Sequence, residues 1–400
     1  MTPLERRSVG SLTLLYSFRM LGLFMVLPLL ALYAADLPGA SASLIGLALG
    51  IYGLTQALLQ VPLGWLSDQV GRKPVIVAGL CLFALGSVIA AEAQSIHGII
   101  AGRMLQGAGA IASTVMALVA DLTREEQRTK AMALVGISIG LAFALALILG
   151  PLLASLGGLS LVFWFTAGLA LCGIGIVLLL VPTASRHRGD GEVDARAGLI
   201  GRSLRNVALL RLNFGVFALH TVLMACFLVV PGYLEQSAGI DRNHHWQVYL
   251  PVLVLSIVGM LPLMTVAERG GRPRQMFLLG IALLIIAVAT LGFVSIESIF
   301  YGALWLFFVG FNFLEATLPS LVSKTVFPGG RGTAMGLFST AQFLGAFAGG
   351  AGGGWLLQHF GREAMMGLCL ALLALWWLIA LPAPQPAGAL AAGDIRQSET

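Results

Sequence analysis

The sequence predicts an all-α integral membrane protein with twelve transmembrane helices in two six-helix halves. Three observations lead to this fold class. The composition is 58% hydrophobic and only 10% charged, which is far more apolar than a soluble globular domain. Apolar runs of about 20 residues, the length that crosses a bilayer, recur along the whole chain. The one long polar interruption, at residues 183–206, divides these runs evenly.

The apolar runs are predicted to be the membrane spans. Their approximate limits are 11–35, 45–67, 74–94, 98–121, 132–156, 159–181, 209–235, 247–267, 275–295, 298–322, 332–356 and 363–381. The first run has no small-residue cleavage site, so we expect it to be retained as a span. The expected domains are an N-terminal six-helix half (1–182), a cytoplasmic linker (183–206), a C-terminal six-helix half (207–382) and a disordered cytoplasmic tail (383–400).

The basic residues lie on one side of the predicted membrane. If the N-terminus is cytoplasmic, every Lys and Arg except Arg19, Arg103, Arg242 and Arg362 lies in or beside a cytoplasmic loop or tail. This asymmetry is the positive-inside signal of membrane insertion. We therefore expect a multi-pass protein of the bacterial inner (plasma) membrane with both termini in the cytoplasm. Topology explains the positive net charge, and nucleic-acid binding is not expected.

Several other classes of protein are disfavoured. The four cysteines lie in apolar runs without C-x-x-C spacing, so neither a disulfide framework nor a metal site is predicted. No lysine lies in a P-loop, which a nucleotide-driven pump requires. The spans contain scattered polar groups rather than a catalytic cluster. We expect no cofactor, no metal and no enzymatic activity.

The loop between spans two and three reads GWLSDQVGRK at residues 64–73. It places Asp68, Arg72 and Lys73 in one compact turn. Gly64 and Gly71 allow the backbone to turn tightly and two helices to approach closely. A short cytoplasmic loop is basic for topological reasons alone, but topology does not require glycine, aspartate and paired basic residues in this order.

Further motifs recur along the chain. Between spans eight and nine it reads AERGGRPR, which resembles the first loop at the matching position of the second half. Span four carries RMLQGAGA from Arg103 onward, and span five carries Gly140 followed by Gly150 and Pro151. Together these motifs resemble those of the major facilitator superfamily, and in particular its drug:proton antiporter branch.

The resemblance implies a secondary active transporter that exports a small amphipathic solute or drug in exchange for protons, by alternating access. Its partners would be this small-molecule substrate, protons and the lipid bilayer, and we expect a monomer. One departure weakens the antiporter interpretation, because the glycine pair expected soon after Pro151 is delayed to Gly157 and Gly158. Proton-coupled uptake or uniport would use the same fold, and a channel or a non-transporting sensor is a less favoured alternative.

The motif wording is most similar to that of one bacterial exporter in this family. That exporter carries a small soluble domain after its last helix, whereas this chain continues from Pro382 as a short Ala/Pro/Gly-rich stretch. We therefore expect this domain to be absent here.

The resemblance also implies a role in gating for the first loop. In the family, the acid that corresponds to Asp68 meets the start of helix eleven. The arginine that corresponds to Arg72 pairs with an acid at the end of helix four, which is Asp121 here. Both contacts would favour the outward-facing state, although they could also serve only to order loops and set topology. Gly140, Gly150 and Pro151 are expected to act in a hinge or in packing.

Ionisable groups inside a membrane are costly, so we treat them as functional candidates. Glu315, in span ten, is the only carboxylate deep within a predicted span. A carboxyl in a cavity of low dielectric constant is suited to exchanging protons with a gradient. We therefore expect Glu315 to be the main proton-coupling site. His220 and Asp36 are further candidates.

The remaining polar residues of the spans are candidates for the cavity. Arg19 and Arg103 cannot release protons, so we expect them either to hold an anionic group or to pair with Glu315. Asn312 lies one turn from Glu315, and Asn213 lies near the inner end of span seven. The glutamines at positions 56, 60 and 342 are interpreted as packing residues that bond across helices.

Overall fold

The computed structural model describes residues 1–182, 199, 201–294, 296–326 and 330–382. Within these ranges every regular element is helical. Most of the predicted linker, and the whole predicted tail at 383–400, lie outside the described residues. The division of the chain at 182 and 207 therefore stays a prediction.

The described part of the chain is organised as a series of helices. In the first part of the chain they are α1 (Pro3–Met25), α2 (Leu27–Tyr33), α3 (Ala42–Val70), α4 (Arg72–Ala91), α5 (Ile96–Ala108), α6 (Ala112–Asp121) and α7 (Glu125–Leu179). In the later part they are α8 (Val207–Gln236), α9 (Trp246–Glu268), α10 (Pro273–Phe293), α11 (Glu297–Thr325), α12 (Arg331–Phe347) and α13 (Gly353–Ala380). Two short 3-10 turns, Ala34–Asp36 and Arg242–His244, and a π-helical segment, Ala348–Gly352, complete the described elements.

Ten helical stretches of the described residues are long and apolar enough to cross a membrane. Two of them, with 55 and 49 residues, are far longer than the roughly 20 residues that one crossing needs. Each is broken at a glycine with positive φ, Gly158 at 65° and Gly361 at 82°, a conformation that strains other residues. Dividing both stretches at these glycines yields the twelve spans that the sequence predicts.

Two predicted spans are broken into two helices. Span one consists of α1 and α2, and α2 has Pro28 in its first turn, where a residue without an N–H group is tolerated. Span four consists of α5 and α6, which meet at Gly109. A Cβ atom on Gly109 would lie 2.3 Å from the carbonyl oxygen of Gly79 in α4, so this break is in backbone contact with a neighbouring helix. Hydropathy does not reveal such breaks, because the apolar run continues through them.

The chain forms two compact units. Unit 1 comprises Met1–Asp190, His220–Leu250 and Phe343–Met365, and unit 2 comprises Gly191–Leu219, Pro251–Gln342 and Met366–Thr400. In unit 1, α1 packs against α7, α4 packs against α5 and α7, and α3 packs against α5 and the π-helical segment. In unit 2, α10 packs against α11. Each unit therefore contains segments of both predicted halves.

The backbones of α3 and the segment 343–354 touch within unit 1. A Cβ atom on Gly46 would lie 2.3 Å from the carbonyl oxygen of Gly350, and one on Gly50 would lie 2.8 Å from that of Phe347. No side chain fits in such a gap, and small residues are what allow membrane helices to approach this closely. The glycine run at residues 345–354 is therefore a close-approach surface, and α3 is one of its partners.

The outer faces of several helices carry large apolar side chains. Ile137, Leu156 and Leu179 are 70%, 74% and 78% exposed. A water-soluble monomer rarely exposes apolar patches of this extent. In a bilayer the same side chains contact lipid tails, which is the environment that their sequence pattern predicts.

One added methyl group at Gly350 should push α3 away from the π-helical segment. A Cβ atom there would lie 2.7 Å from the backbone nitrogen of Gly50. Overpacking of this kind costs about 1–3 kcal/mol, which shifts a two-state equilibrium about 5- to 150-fold. Pulsed EPR between spin labels at Ala40 and Leu357, which line one cavity, should show a longer distance in Gly350→Ala.

The matched control is Gly352→Ala, because a Cβ atom at Gly352 meets no atom within 4 Å. Its distance distribution should equal that of the unsubstituted protein. Identical distributions in Gly350→Ala and Gly352→Ala would contradict the close contact.

Candidate functional site

Arg19 lies buried inside unit 1. It belongs to α1 and is 2% exposed. Its Nη2 atom donates to Gln56 Oε1 at 2.6 Å and to the carbonyl oxygen of Gly109 at 3.2 Å. Gln56 in turn donates from Nε2 to Gln60 Oε1 at 3.3 Å. A chain of neutral side chains therefore holds this charge within the helix bundle.

Arg103 lies buried in the same unit and is 0% exposed. Its Nε atom donates to the carbonyl oxygen of Ala48 at 3.3 Å, and its Nη1 atom donates to Gln106 Oε1 at 2.9 Å. Gln106 then donates to Ser87 Oγ at 2.7 Å. The spacing of Arg103 and Gln106, one turn apart on α5, is what lets the two side chains meet.

The ring of Tyr52 lies beside both arginines. It is 4.9 Å from Arg103 Cζ and 5.9 Å from Arg19 Cζ, and the ring of Phe83 is 5.7 Å from Arg19 Cζ. These distances allow cation–π attraction. On its other side, Tyr52 meets the ring of Phe343 edge-on, with centroids 6.3 Å apart. The two guanidinium groups and Tyr52 thus form one cluster, which we call the arginine cluster (Arg19, Arg103 and Tyr52).

Glu315 lies in unit 2 on α11. Its Oε1 atom accepts a hydrogen bond from Gln342 Nε2 at 3.2 Å, and its side chain is partly buried. One turn earlier, Asn312 Nδ2 donates to Ser256 Oγ at 2.9 Å. Two predicted cavity residues therefore bond to polar side chains of neighbouring helices, on one face of α11.

His220 and Asn213 both lie on α8. His220 is 9% exposed and belongs to unit 1, whereas Asn213 belongs to unit 2 and is partly buried. Asn213 Oδ1 accepts no hydrogen bond from the described residues. Because two helical turns separate them, these residues occupy different levels of α8.

Asp68, Arg72 and Asp121 form a charge cluster where α3 meets α4. Arg72 forms an ion pair with Asp68 one turn earlier, and its Nε atom lies 3.1 Å from Asp121 Oδ2. Arg72 Nη1 also donates to Ser67 Oγ at 2.7 Å. The expected contact between Arg72 and Asp121 is present, and its role in gating stays a prediction. Partly exposed pairs of this kind contribute only about 0–1 kcal/mol.

A second charge cluster lies at the opposite end of α3, where α2 and α8 end. Arg242 Nη1 is 2.9 Å from Asp36 Oδ2, and Arg242 Nε is 2.7 Å from Glu235 Oε1. The guanidinium group also lies 5.2 Å from the centre of the Tyr33 ring. Tyr33 donates its hydroxyl proton to Asn243 Oδ1 at 2.9 Å. We call this the end cluster; it joins residues of the two predicted halves.

The end cluster borders a cavity of about 410 Å³ within unit 1. Asp36, Glu235 and Arg242 line it together with Tyr233 and Arg362. Asp36 is 70% exposed, and its Oδ2 atom lies 2.9 Å from Arg242 Nη1. The role of Asp36 in proton coupling stays a prediction.

The sequence matches the model of the Major Facilitator Superfamily over residues 12–350. This match includes the arginine cluster, Glu315 and both charge clusters. The chain belongs to the Major Facilitator Superfamily. It is therefore a multi-pass membrane transporter and not an enzyme, with the all-α major facilitator fold that the sequence predicts.

Similar proteins of the superfamily cover nearly the whole chain. The inner membrane transport protein YajR of Escherichia coli K12 is 46% identical over 96% of this chain and 85% of YajR. The multidrug resistance protein MdtH of Aeromonas salmonicida is 29% identical over 85% of each chain. A solved bacterial homologue of the human lysosomal transporter Spinster shares the fold, with a TM-score of 0.78 and 13% identity over 95% of this chain and 97% of the other. The similarity to YajR agrees with the motif wording.

The superfamily's loop motif has a clear conformational basis here. Gly71 joins α3 to α4 with φ at 105°, which is strained for any other residue. A Cβ atom on Gly64 would lie 3.1 Å from Ser113 Oγ, so this glycine keeps α3 close to α6. Lys73 is partly exposed in the first turn of α4.

The glycines of span five have different surroundings. A Cβ atom on Gly150 would lie 2.9 Å from the carbonyl oxygen of Met25, so Gly150 packs against the end of α1. The next residue, Pro151, is buried. Gly140 is exposed and would accept a Cβ atom without contact within 4 Å. Gly157 and Gly158 form the break inside α7. The delayed glycine pair of the sequence is therefore the turn between two spans.

Some residues of the site carried little sequence signal. Gln56 and Gln342, interpreted as packing residues, bond directly to Arg19 and Glu315. Gln106 could have been found, because it lies three residues after Arg103. Tyr52 could not, since an aromatic residue in an apolar run is normally part of the core.

Proposed function

We propose that this chain is a proton-coupled secondary transporter that exports a small amphipathic solute by alternating access. In this proposal the loop with Asp68 and both termini lie in the cytoplasm, and the end cluster around Arg242 faces outward. The substrate is a small molecule, protons drive its export, and the monomer is the working unit.

The observation that carries this proposal is the contact between α3 and the segment 343–354. It joins a helix of the first half to helices of the second through glycine faces such as those of Gly46 and Gly350. Glycine backbones form part of this contact, and an exposed hydrogen bond from the Ser43 amide to Gln358 Oε1 at 2.9 Å flanks it. A flat contact with a polar rim can open and close at modest energetic cost, as alternating access requires.

The relatives support the export of a drug-like solute. MdtH carries the name multidrug resistance protein, and YajR is named an inner membrane transport protein. Transfer of these roles to this chain is part of the proposal. The apolar composition of the spans suits a solute that is itself partly apolar.

Glu315 is proposed as the proton-coupling site. It lies within α11, is partly buried and accepts a hydrogen bond from the neutral amide of Gln342. A neutral donor can bond to the carboxyl group in either protonation state, because the amide also has an oxygen that accepts. His220 is proposed as a secondary proton site.

The charge cluster at Asp68, Arg72 and Asp121 is proposed as the cytoplasmic gate. It lies where α3 and α6 end and α4 begins, so a charge change there acts on three spans at once. Asp68→Asn keeps the side-chain shape and removes the charge that meets Arg72. The cytoplasmic ends should then separate more readily, and the inward-open population should rise.

Pulsed EPR between spin labels at Val70 and Gly332 would measure this change. Arg72→Ala and Asp121→Ala should lengthen the distance in the same way, because they form two ends of one contact. Glu126→Gln is the control, since Glu126 is an exposed acid at the start of α7. An unchanged distance in Asp68→Asn would leave this cluster with a topological role only.

Glu315→Gln should separate solute binding from proton coupling. Glutamine keeps the volume and the hydrogen-bonding capacity of the side chain but cannot exchange a proton. A thermal-shift screen would first identify a solute. In proteoliposomes the variant should retain exchange of this solute, and its proton-driven transport should fall at least about a hundredfold, the low end of what one positioned proton-transfer group contributes.

Glu297→Gln is the matched control, because Glu297 lies at the exposed start of the same helix and bonds to Tyr301. It should behave like the unsubstituted protein. Full proton-driven transport by Glu315→Gln would refute the assignment and direct attention to His220.

A further inference from the structure

The arginine cluster contains more hydrogen-bond donors than the structure satisfies. Arg19 Nε and Nη1, Arg103 Nη2 and the Tyr52 hydroxyl group have no hydrogen-bond partner among the described residues. All three side chains are at least nine-tenths buried, with exposures of 2%, 0% and 3%. Buried donors without partners are rare in native structures.

The described residues of unit 1 also provide no counter-charge for the cluster. The partners of Arg19 and Arg103 within unit 1 are amide or carbonyl oxygens of Gln56, Gly109, Ala48 and Gln106. Neither guanidinium group forms an ion pair with a described residue of unit 1. Two buried positive charges without an anion are strongly unfavourable, and the aromatic faces of Tyr52 and Phe83 offset only part of this cost.

We propose that the arginine cluster binds a carboxylate group of the transported solute. This inference rests on the proposed function and specifies its substrate as an amphipathic anion. Guanidinium groups bind carboxylates through two parallel hydrogen bonds, and the Tyr52 hydroxyl group adds a donor beside them. The apolar part of the solute would contact the neighbouring aromatic rings.

The segment 343–354 controls access to the cluster. The ring of Phe343 meets the Tyr52 ring edge-on, and a Cβ atom on the next residue of α3, Gly53, would lie 2.6 Å from the carbonyl oxygen of Phe343. While this contact is closed, the unsatisfied donors are sealed off. Separation of α3 from Phe343 exposes them, so the anion binds the separated state.

The test measures the thermal unfolding temperature of the purified protein at increasing concentrations of a probe compound. Tryptophan fluorescence monitors unfolding, and the ionic strength is held constant. The probes are sodium benzoate, its neutral isostere benzamide, and sodium sulfate. Benzoate should raise the unfolding temperature saturably, whereas benzamide should not. The effect should weaken at least tenfold in Arg19→Gln and Arg103→Gln and persist in Arg128→Gln, which changes an exposed arginine.

Tyr52→Phe is a second variant for the case in which the arginine variants fail to fold. Its hydroxyl group has no partner in the closed structure, so the unfolding temperature without ligand should not fall. The benzoate midpoint should rise about three- to tenfold, as expected for one lost hydrogen bond. A purely structural tyrosine would leave that midpoint unchanged.

Three outcomes would overturn the proposal. Benzoate does not raise the unfolding temperature saturably, benzoate raises it equally in Arg103→Gln, or sulfate raises it saturably and benzoate does not. The last would identify a site for a free inorganic anion instead. None of these outcomes depends on transport. Proton-driven export without benzoate binding would therefore reject the anion site alone, and benzoate binding without any export would reject the proposed function alone.

Discussion

The close backbone contact between α3 and the segment 343–354 is the feature on which the rest of the structure depends. Glycine at Gly46, Gly50 and Gly350 lets two helices touch without intervening side chains. The contact brings Ser43 of α3 and Gln358 of α13 within hydrogen-bonding distance. It also places Phe343 against Tyr52, which lies beside two buried arginines. A single larger residue on this surface would disturb all of these features.

The polar groups of the bundle follow from the same membrane constraint. Inside a bilayer, no water is available to satisfy an exposed donor, so each charge must find its partners within the protein. Glu315, for example, accepts a hydrogen bond from the Gln342 amide. The arginine cluster departs from this rule, because several of its donors have no partner among the described residues. In a transporter, a solute that supplies hydrogen-bond acceptors to these donors gains affinity at this place.

Sequence reasoning predicted features that depend on local pattern. Span number followed from hydropathy, and the Gly71 turn followed from its motif. The contact between Arg103 and Gln106 was not predicted, although their spacing of one helical turn allows it. Sequence reasoning could not predict the break at Gly109, since this requires knowledge of the neighbouring helix. It also missed the pairing of Asp36 with Arg242, which are 206 residues apart in sequence. Only the folded chain shows that these two residues meet.

Reversible cross-linking of the α3 contact tests the central claim most directly. Cysteines at Ser43 and Gln358 would join its two sides, because the Ser43 backbone amide donates to Gln358 Oε1 at 2.9 Å. The exposed Cys81 and Cys172 would be replaced in this background. Oxidation should stop solute exchange in proteoliposomes, and reduction should restore it. Undiminished exchange by the fully cross-linked protein would show that this contact does not open during transport.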